Sequence, residues 1–267
     1  MCRLKTSLSS VPKSSDRMSG SAHRLFISDL HLCDSRPQIS RLFFDFLETH
    51  ARSAEALYIL GDLFESWVGD DEDTALGRNV AGALRRLSDR GVAVYLMHGN
   101  RDFLLAQPFA DASGALLLAD PTLLDLYGQP TLLMHGDTLC TDDTAYLAFR
   151  AQVRDPAWQV GFLAQPLPIR HTMAQQARNQ SEHAKQEKNT AIMDVNHQAV
   201  IEILREYGYP RLIHGHTHRP ARHDLQVDGH TCERWVLQDW YDSGGYLRCA
   251  AGGCSAHPLT FPEPDPR

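Results

Sequence analysis

Residues 56–65 read ALYILGDLFE. Five consecutive apolar residues stop abruptly at Gly61-Asp62, the pattern of a short strand buried on both faces that ends in a turn. Upstream, Arg24–Ser28 (RLFIS) is a second strand-like run, and Ser40–Arg52 carries apolar residues at helical spacing. Downstream, Ala75–Arg90 has a helical period with Gly91 placed to stop it, and Val92–Met97 is a third strand running into His98-Gly99-Asn100. A β-α-β-α-β order implies a parallel sheet with covering helices. Farther on, Leu123–Tyr127 and Thr131–His135 flank Gly128-Gln129 as a hairpin, and Arg211–His214 is another strand. Short runs at Leu225–Asp228, Trp235–Leu237 and Tyr246–Ala251 close the β portion. The fold class this order predicts is α/β, with two sheets packed face to face, outer helices and a helical insertion over about 141–207.

The chain has 267 residues, enough for a sizeable core, with 43% hydrophobic and 22% charged residues. Lys plus Arg number 26 against 33 Asp plus Glu, a net charge of −7 that argues against a general nucleic-acid binder. No apolar run is long enough to span a membrane. Residues 1–22 are basic but lack the apolar stretch of a signal peptide; they read as a disordered extension, with Met18 an alternative start. The expected main domain covers 23–255, and the Pro-rich residues 256–267 read as a loose tail. The six cysteines form no C-x-x-C pair, so a reduced, cytoplasmic setting is expected.

Five short motifs follow the apolar runs: SDLHL (28–32), GDLFE (61–65), HGNRD (98–102), HGD (135–137) and HGHTH (214–218). Asp29 and His31 are two apart, which on a strand puts both on one face, and His214, His216 and His218 repeat that spacing. Asp29, His31, Asp62, Asn100, His135, His216 and His218 make a mixed oxygen and nitrogen donor set. Seven such ligands exceed one tetrahedral zinc and include no thiolate, so they suit two divalent ions sharing a carboxylate bridge. Two-metal sites of this kind serve phosphoryl displacement.

The ordered motifs D-x-H, G-D, G-N-x-[DE], H-G-D and G-H-x-H resemble those of the calcineurin-like metallophosphoesterases. That resemblance implies a four-layer α/β/β/α sandwich of two mixed sheets. It implies that Asp29, His31 and His218 bind one metal and Asn100, His135 and His216 the other, with Asp62 bridging. The longer stretches ISDLHLC, YILGDLFESWVGDD, HGNRDFLL, MHGDTLCTDD, AIMDVN and LIHGHTHRPA look like the branch of that family that hydrolyses UDP-2,3-diacylglucosamine in bacterial lipid A synthesis. The similarity spans roughly residues 25–246. It implies two Mn²⁺ per chain and water attack on the α-phosphorus, giving UMP and 2,3-diacylglucosamine 1-phosphate. Position by position it carries substrate contacts onto Asn100, Arg101, Asp143, Ser181, Lys188 and His216, and onto Lys185, where the branch often has Asn. Tyr146 and Arg178 stand behind these. Asp62, Arg101 and His216 are the expected catalytic residues.

Arg101 occupies a position where many metallophosphoesterases have a histidine. A guanidinium gives up no proton at working pH, so it is no general acid. A phosphate monoester leaves as an anion without that help, and Arg101 can neutralise charge on a diphosphate, so the residue favours diphosphate over simple ester cleavage. Between Arg150 and Thr190, Arg150, Arg154, Arg170, Arg178, Lys185 and Lys188 outnumber Asp155, Glu182 and Glu187. Trp158, Val160, Phe162, Leu163, Leu167, Ile169 and Met173 lie in the same stretch. Basic and apolar groups together suit an acyl-chain lid on the anionic inner leaflet; a plain core-packing hairpin is the alternative. A monomer peripheral to the inner membrane is expected. A broader phosphodiesterase and a non-catalytic scaffold stay open at this point.

Overall fold

The computed structural model describes residues 22–187 and 194–261. The leading segment with Met18, Lys188 and residues 262–267 lie outside the described residues, as do the side chains of Ser181 and Lys185. One sheet orders its strands β11-β10-β1-β2-β3-β4. In it, β1 (His23–Ile27), β2 (Ala56–Leu60), β3 (Ala93–Met97) and β4 (Ala115–Leu118) run parallel. The strands β10 (Gly244–Ala250) and β11 (Gly253–Leu259) are added antiparallel on the β1 side. The second sheet is ordered β5-β6-β7-β9-β8. Its strands are β5 (Thr122–Leu126), β6 (Gln129–Leu133), β7 (Arg211–His214), β8 (Ala221–Val227) and β9 (His230–Val236). There β6, β7 and β9 are parallel, and β5 and β8 are antiparallel edges.

The layers follow from side-chain alternation along the strands. From β1 and β2, Leu25, Ile27, Leu57 and Ile59 point outward into a core with Phe43 and Phe46 of α1 (Pro37–Thr49) and Leu84 and Leu87 of α2 (Ala75–Asp89). Phe26, Tyr58 and Leu60 point the other way and meet Leu133, Ile213 and Trp235 of the second sheet. On that sheet's outer face, Leu132 and Leu212 pack against Val200 and Leu204 of α7 (His197–Glu206). Helix, sheet, sheet and helix thus stack in four layers. The Phe26–Tyr58 and Tyr58–Tyr95 rings stack at 4.8 and 4.7 Å between the sheets, cross-strand pairs that fix register on the inner face.

Three sequence expectations change. The helical stretch 141–207 is two things: α4 (Thr144–Val153), α5 (Pro156–Leu163) and α6 (Leu167–Glu187) form the insert, whereas α7 belongs to the core. The tail read as loose from residue 256 is a strand through Leu259, because β11 pairs with β10 from Gly253 onward. That hairpin sets Cys249 opposite Cys254, and the two form a disulfide. Motif spacing could not reveal the pair, since their opposition depends on a strand whose second half, with Pro258, had been read as tail. The short helix α3 (Gln107–Ser113) and strand β4 were also missed. No helix among the described residues is long and apolar enough to cross a membrane.

Candidate metal centre

All seven proposed donors lie just past strand ends, and loops bring them together. His31 Nε2 is 3.3 Å from His218 Nε2, 3.8 Å from Asp62 Oδ2 and 4.0 Å from Asp29 Oδ1. On the other side of Asp62, its Oδ2 is 3.9 Å from His135 Nε2. Asn100 Oδ1 lies 3.1 Å from His135 Nε2 and 2.9 Å from His216 Nδ1. The donors therefore fall into two groups that meet at Asp62.

Strand alternation does not explain how they converge. Asp29 (φ 55°), His31 (φ 48°), Asp62 (φ 53°), His216 (φ 69°) and His218 (φ 54°) all adopt the left-handed backbone region. Non-glycine residues rarely sit there, and such conformations concentrate at functional sites. The turns are held by main-chain bonds between loops: Asp29 N and His31 N donate to the carbonyls of Gly61 (3.1 Å) and Asp62 (2.9 Å). Two glycines in the motifs allow close approach. A Cβ on Gly99 would stand 2.1 Å from Asp62 Oδ1, and one on Gly215 would stand 2.2 Å from Asp29 Oδ2. The G-N and H-G-H patterns thus have a steric reason.

As supporting residues Asp102, Glu65, Asp239 and Trp240 escaped the sequence reading, although the first two stand inside the quoted motifs. Asp102 is fully buried and its carboxylate accepts from the main-chain N–H of Gly99 (2.9 Å) and Leu63 (2.7 Å), tying the GDLFE and HGNRD loops together. Glu65 Oε2 lies 3.5 Å from His31 Nδ1, and Asp239 Oδ2 lies 3.6 Å from His218 Nδ1. Trp240 N donates to Asp29 O at 3.0 Å, so the QDWY stretch (238–241) backs the Asp29 turn. His214 is buried; its Nε2 accepts from Arg234 Nη1 (3.1 Å) and its Nδ1 donates to Gly215 O (2.9 Å), which holds the HGHTH turn from behind.

Burial and mutual charge set the electrostatics. Burial pushes the Asp62 carboxyl up to about 7, with Asp102 and Asp29 adding to it against His135. Burial would lower His135, but Asp62, Asp137 and Asp29 outweigh it and raise the imidazole to about 9. Burial acts to raise Asp29, yet His218, His135 and His31 hold its carboxyl far below the ordinary range. His31 is pushed well down by burial.

The residues fit a divalent cation. Asp29 Oδ1 is buried without a hydrogen-bond partner among the described residues, while His218 Nε2 stands 3.5 Å away. A buried carboxylate oxygen left so is costly unless a cation satisfies it. Asp29, His31 and His218, and again Asp29, Asp62 and His135, have ligand atoms close enough to share an ion. Four imidazoles, two carboxylates and an amide suit hard or borderline divalent metals.

The proposed substrate contacts are distributed around this centre. Arg101 Nη1 reaches Glu65 Oε1 at 3.8 Å, while its main-chain N–H donates to Asp62 Oδ1 at 2.8 Å. Asp143 caps α4 by accepting from Tyr146 N at 3.1 Å. Tyr146 stacks on His216 at 6.0 Å, and its hydroxyl donates to buried Asp137 at 2.5 Å. Ser181 and Lys185 fall on α6, beyond Arg178, whose Nη1 lies 3.6 Å from Glu65 Oε1.

The insert differs from its sequence reading in charge. Its four described arginines turn toward the protein: Arg150 to Asp137, Arg154 to Gly99 O, Arg170 to Val68 O and Asp71, and Arg178 to Glu65. Its apolar residues divide. Phe162 is buried and Trp158 and Leu167 pack on the main core, but Val160, Leu163, Ile169 and Met173 are exposed.

Residues 23–220 match the family model described as calcineurin-like phosphoesterase. Curated proteins named UDP-2,3-diacylglucosamine hydrolase are close in sequence. That of Aromatoleum aromaticum is 56% identical over 86% of this chain and 94% of its own. That of Cellvibrio japonicus is 55% identical over 86% of this chain and 95% of its own, and that of Xanthomonas axonopodis pv. citri is 54% identical over 89% and 99%. With its sheet order, its four layers and its ordered donor motifs, the chain belongs to the calcineurin-like phosphoesterase family, in the branch whose curated members carry that name.

Proposed function

We propose that this protein hydrolyses the diphosphate of UDP-2,3-diacylglucosamine, with water attacking the α-phosphorus to give UMP and 2,3-diacylglucosamine 1-phosphate. The observation that carries the reading is the seven-donor centre with Arg101 beside it, on a chain more than half identical to proteins named for that substrate. Asp29, His31, Asp62 and His218 would hold one Mn²⁺, and Asp62, Asn100, His135 and His216 a second. Bound there, the metal pair lowers the pKa of water and neutralises phosphoryl charge.

The chain's own groups do the rest. Arg101 is fixed at its backbone by Asp62 and at its side chain by Glu65, so its guanidinium is placed to meet diphosphate oxygens with little reorganisation. The leaving phosphate monoester needs no proton donor, which suits a site with Arg in that position. His216 is held by Asn100 and stacked under Tyr146, where it can orient the phosphoryl group. Asp143, Ser181, Lys185 and Lys188 are proposed to contact the sugar and its phosphate. The exposed apolar groups of α5 and α6 are proposed to shelter acyl chains and touch the inner leaflet. Because the insert's described arginines are already engaged, that contact rests on apolar insertion more than on charge.

The test is turnover of UDP-2,3-diacylglucosamine in ¹⁸O-water with each divalent metal in turn. Turnover with Mn²⁺ and label in UMP are expected, with activity in Asp62→Ala lower by at least about a hundred- to a thousandfold. Label in the sugar phosphate, or full activity in Asp62→Ala, would overturn the assignment.

A further inference from the structure

Glu65 has four partners, and none of them was assigned to it from the sequence. Its Oε2 accepts from Arg36 Nη2 at 3.0 Å and stands 3.5 Å from His31 Nδ1; its Oε1 faces Arg101 at 3.8 Å and Arg178 at 3.6 Å. Arg36 Nη2 also donates to the carbonyl of His31 at 2.8 Å. His31 is thus approached at both ends, its carbonyl by Arg36 and its ring by Glu65. Its Nδ1 is buried and has no hydrogen-bond partner among the described residues. Meanwhile Nε2 faces Asp29, Asp62 and His218.

An imidazole that ligates through one nitrogen must present the other as an N–H donor, and a carboxylate facing that N–H fixes tautomer and ring angle and raises ligand basicity. Glu65, with Oε2 3.5 Å from the otherwise unpartnered Nδ1, is the carboxylate placed to take that role for His31. The backbone makes it necessary here: His31 sits at a φ of 48°, so the strand does not aim its ring. Tyr241 closes the remaining side, 5.5 Å from the His31 ring and with Arg36 4.2 Å over its face.

We infer that Glu65 is a positioning residue that holds His31 in the ligating tautomer and, through Arg178 on α6, ties the insert to that half of the metal centre. The inference rests on the two-metal reading but not on the identity of the substrate. Glu65 reaches only one of the two donor groups, since neither His135 nor His216 is among its contacts. Its loss should therefore be felt at one ion and not at the other.

The experiment is a Mn²⁺ titration of the metal-free full chain, with free Mn²⁺ counted by electron paramagnetic resonance, in wild type, Glu65→Gln and Glu65→Asp. Wild type is expected to take up two ions. Glu65→Gln, which keeps size and removes charge, should weaken one site by about ten- to hundredfold and leave the other unchanged. Glu65→Asp should recover part of the loss. Two unchanged sites in Glu65→Gln overturn the inference, as does an equal weakening of both sites with a fall in Tm, or Glu65→Asp behaving no better than Glu65→Gln. The readout needs no substrate, so the two readings fail separately: uncleaved UDP-2,3-diacylglucosamine counts against the proposed reaction, and an unmoved Mn²⁺ titration against the role of Glu65.

Discussion

At the centre of the site, His135 is completely buried with Nδ1 against Leu60 O at 2.9 Å and Nε2 facing Asn100 and Asp62. Its raised proton affinity has a consequence for the metal-free protein. A histidine titrating near 6.5 when unfolded and about 9 when folded contributes stability that is complete below pH 6.5 and lost as pH climbs through 9. His31 and His214, whose folded values are lowered, have opposite slopes that are exhausted once the unfolded chain is deprotonated above pH 6.5. Thermal melts of the metal-free chain should therefore show Tm falling between pH 6.5 and 9, and His135→Asn should flatten that fall. An undiminished slope in the variant would place its origin elsewhere. The donor residues were legible in the sequence because each stands in a short polar motif at the end of an apolar run. Their left-handed backbones were not, since a two-residue spacing reads as a strand face whether or not the strand continues. Glu65, Asp102 and Asp239 stayed hidden for a related reason: a carboxylate that binds backbone or a ligand's far nitrogen has no spacing rule of its own.

Among the elements, the insert shows most clearly how sequence and structure diverge. A basic excess over α4, α5 and α6 suggested a charged outer face, yet charge count says nothing of direction. Arg170 is buried, donating to Val68 O and Asp71 Oδ1 at 2.7 Å each, and it pins the start of α6 to the loop after GDLFE. Arg170→Met should retain the stem's packing and lose those bonds, costing about 1–3 kcal/mol in urea unfolding. Because Arg170 lies on the insert and not among the donors, Mn²⁺ uptake should be unchanged. A variant as stable as wild type would show that the apolar contacts of Trp158, Phe162 and Leu167 hold the insert unaided. The parallel strands and α2 were readable from period and stop signals. The edge strand β11 was not, because Pro258, tolerated at an edge, runs on into the Pro-rich segment that follows it.

Over the whole molecule, the donors divide between the sheets. Asp29, His31, Asp62 and Asn100 follow β1, β2 and β3, whereas His135, His216 and His218 follow β6 and β7. An ion shared by both sets is a cross-link between layers otherwise joined by the Phe26, Tyr58 and Ile213 core. Chelation should therefore lower global stability. Restoring Mn²⁺ at a thousandfold excess over its Kd should add about 4 kcal/mol, read as a concentration-dependent rise in Tm. A Tm indifferent to chelator would mean that the sheets are held by the core alone.

The same division of labour bears on how the protein comes into being. His31 and His218 meet although 187 positions separate them. On the ribosome, the first sheet's parallel strands emerge long before the second donor set exists. Between the synthesis of Asn100 and that of His216 the nascent chain carries an incomplete donor set, and an ion captured then would lack its later ligands. The proposed centre can therefore be complete only once the HGHTH turn has been made.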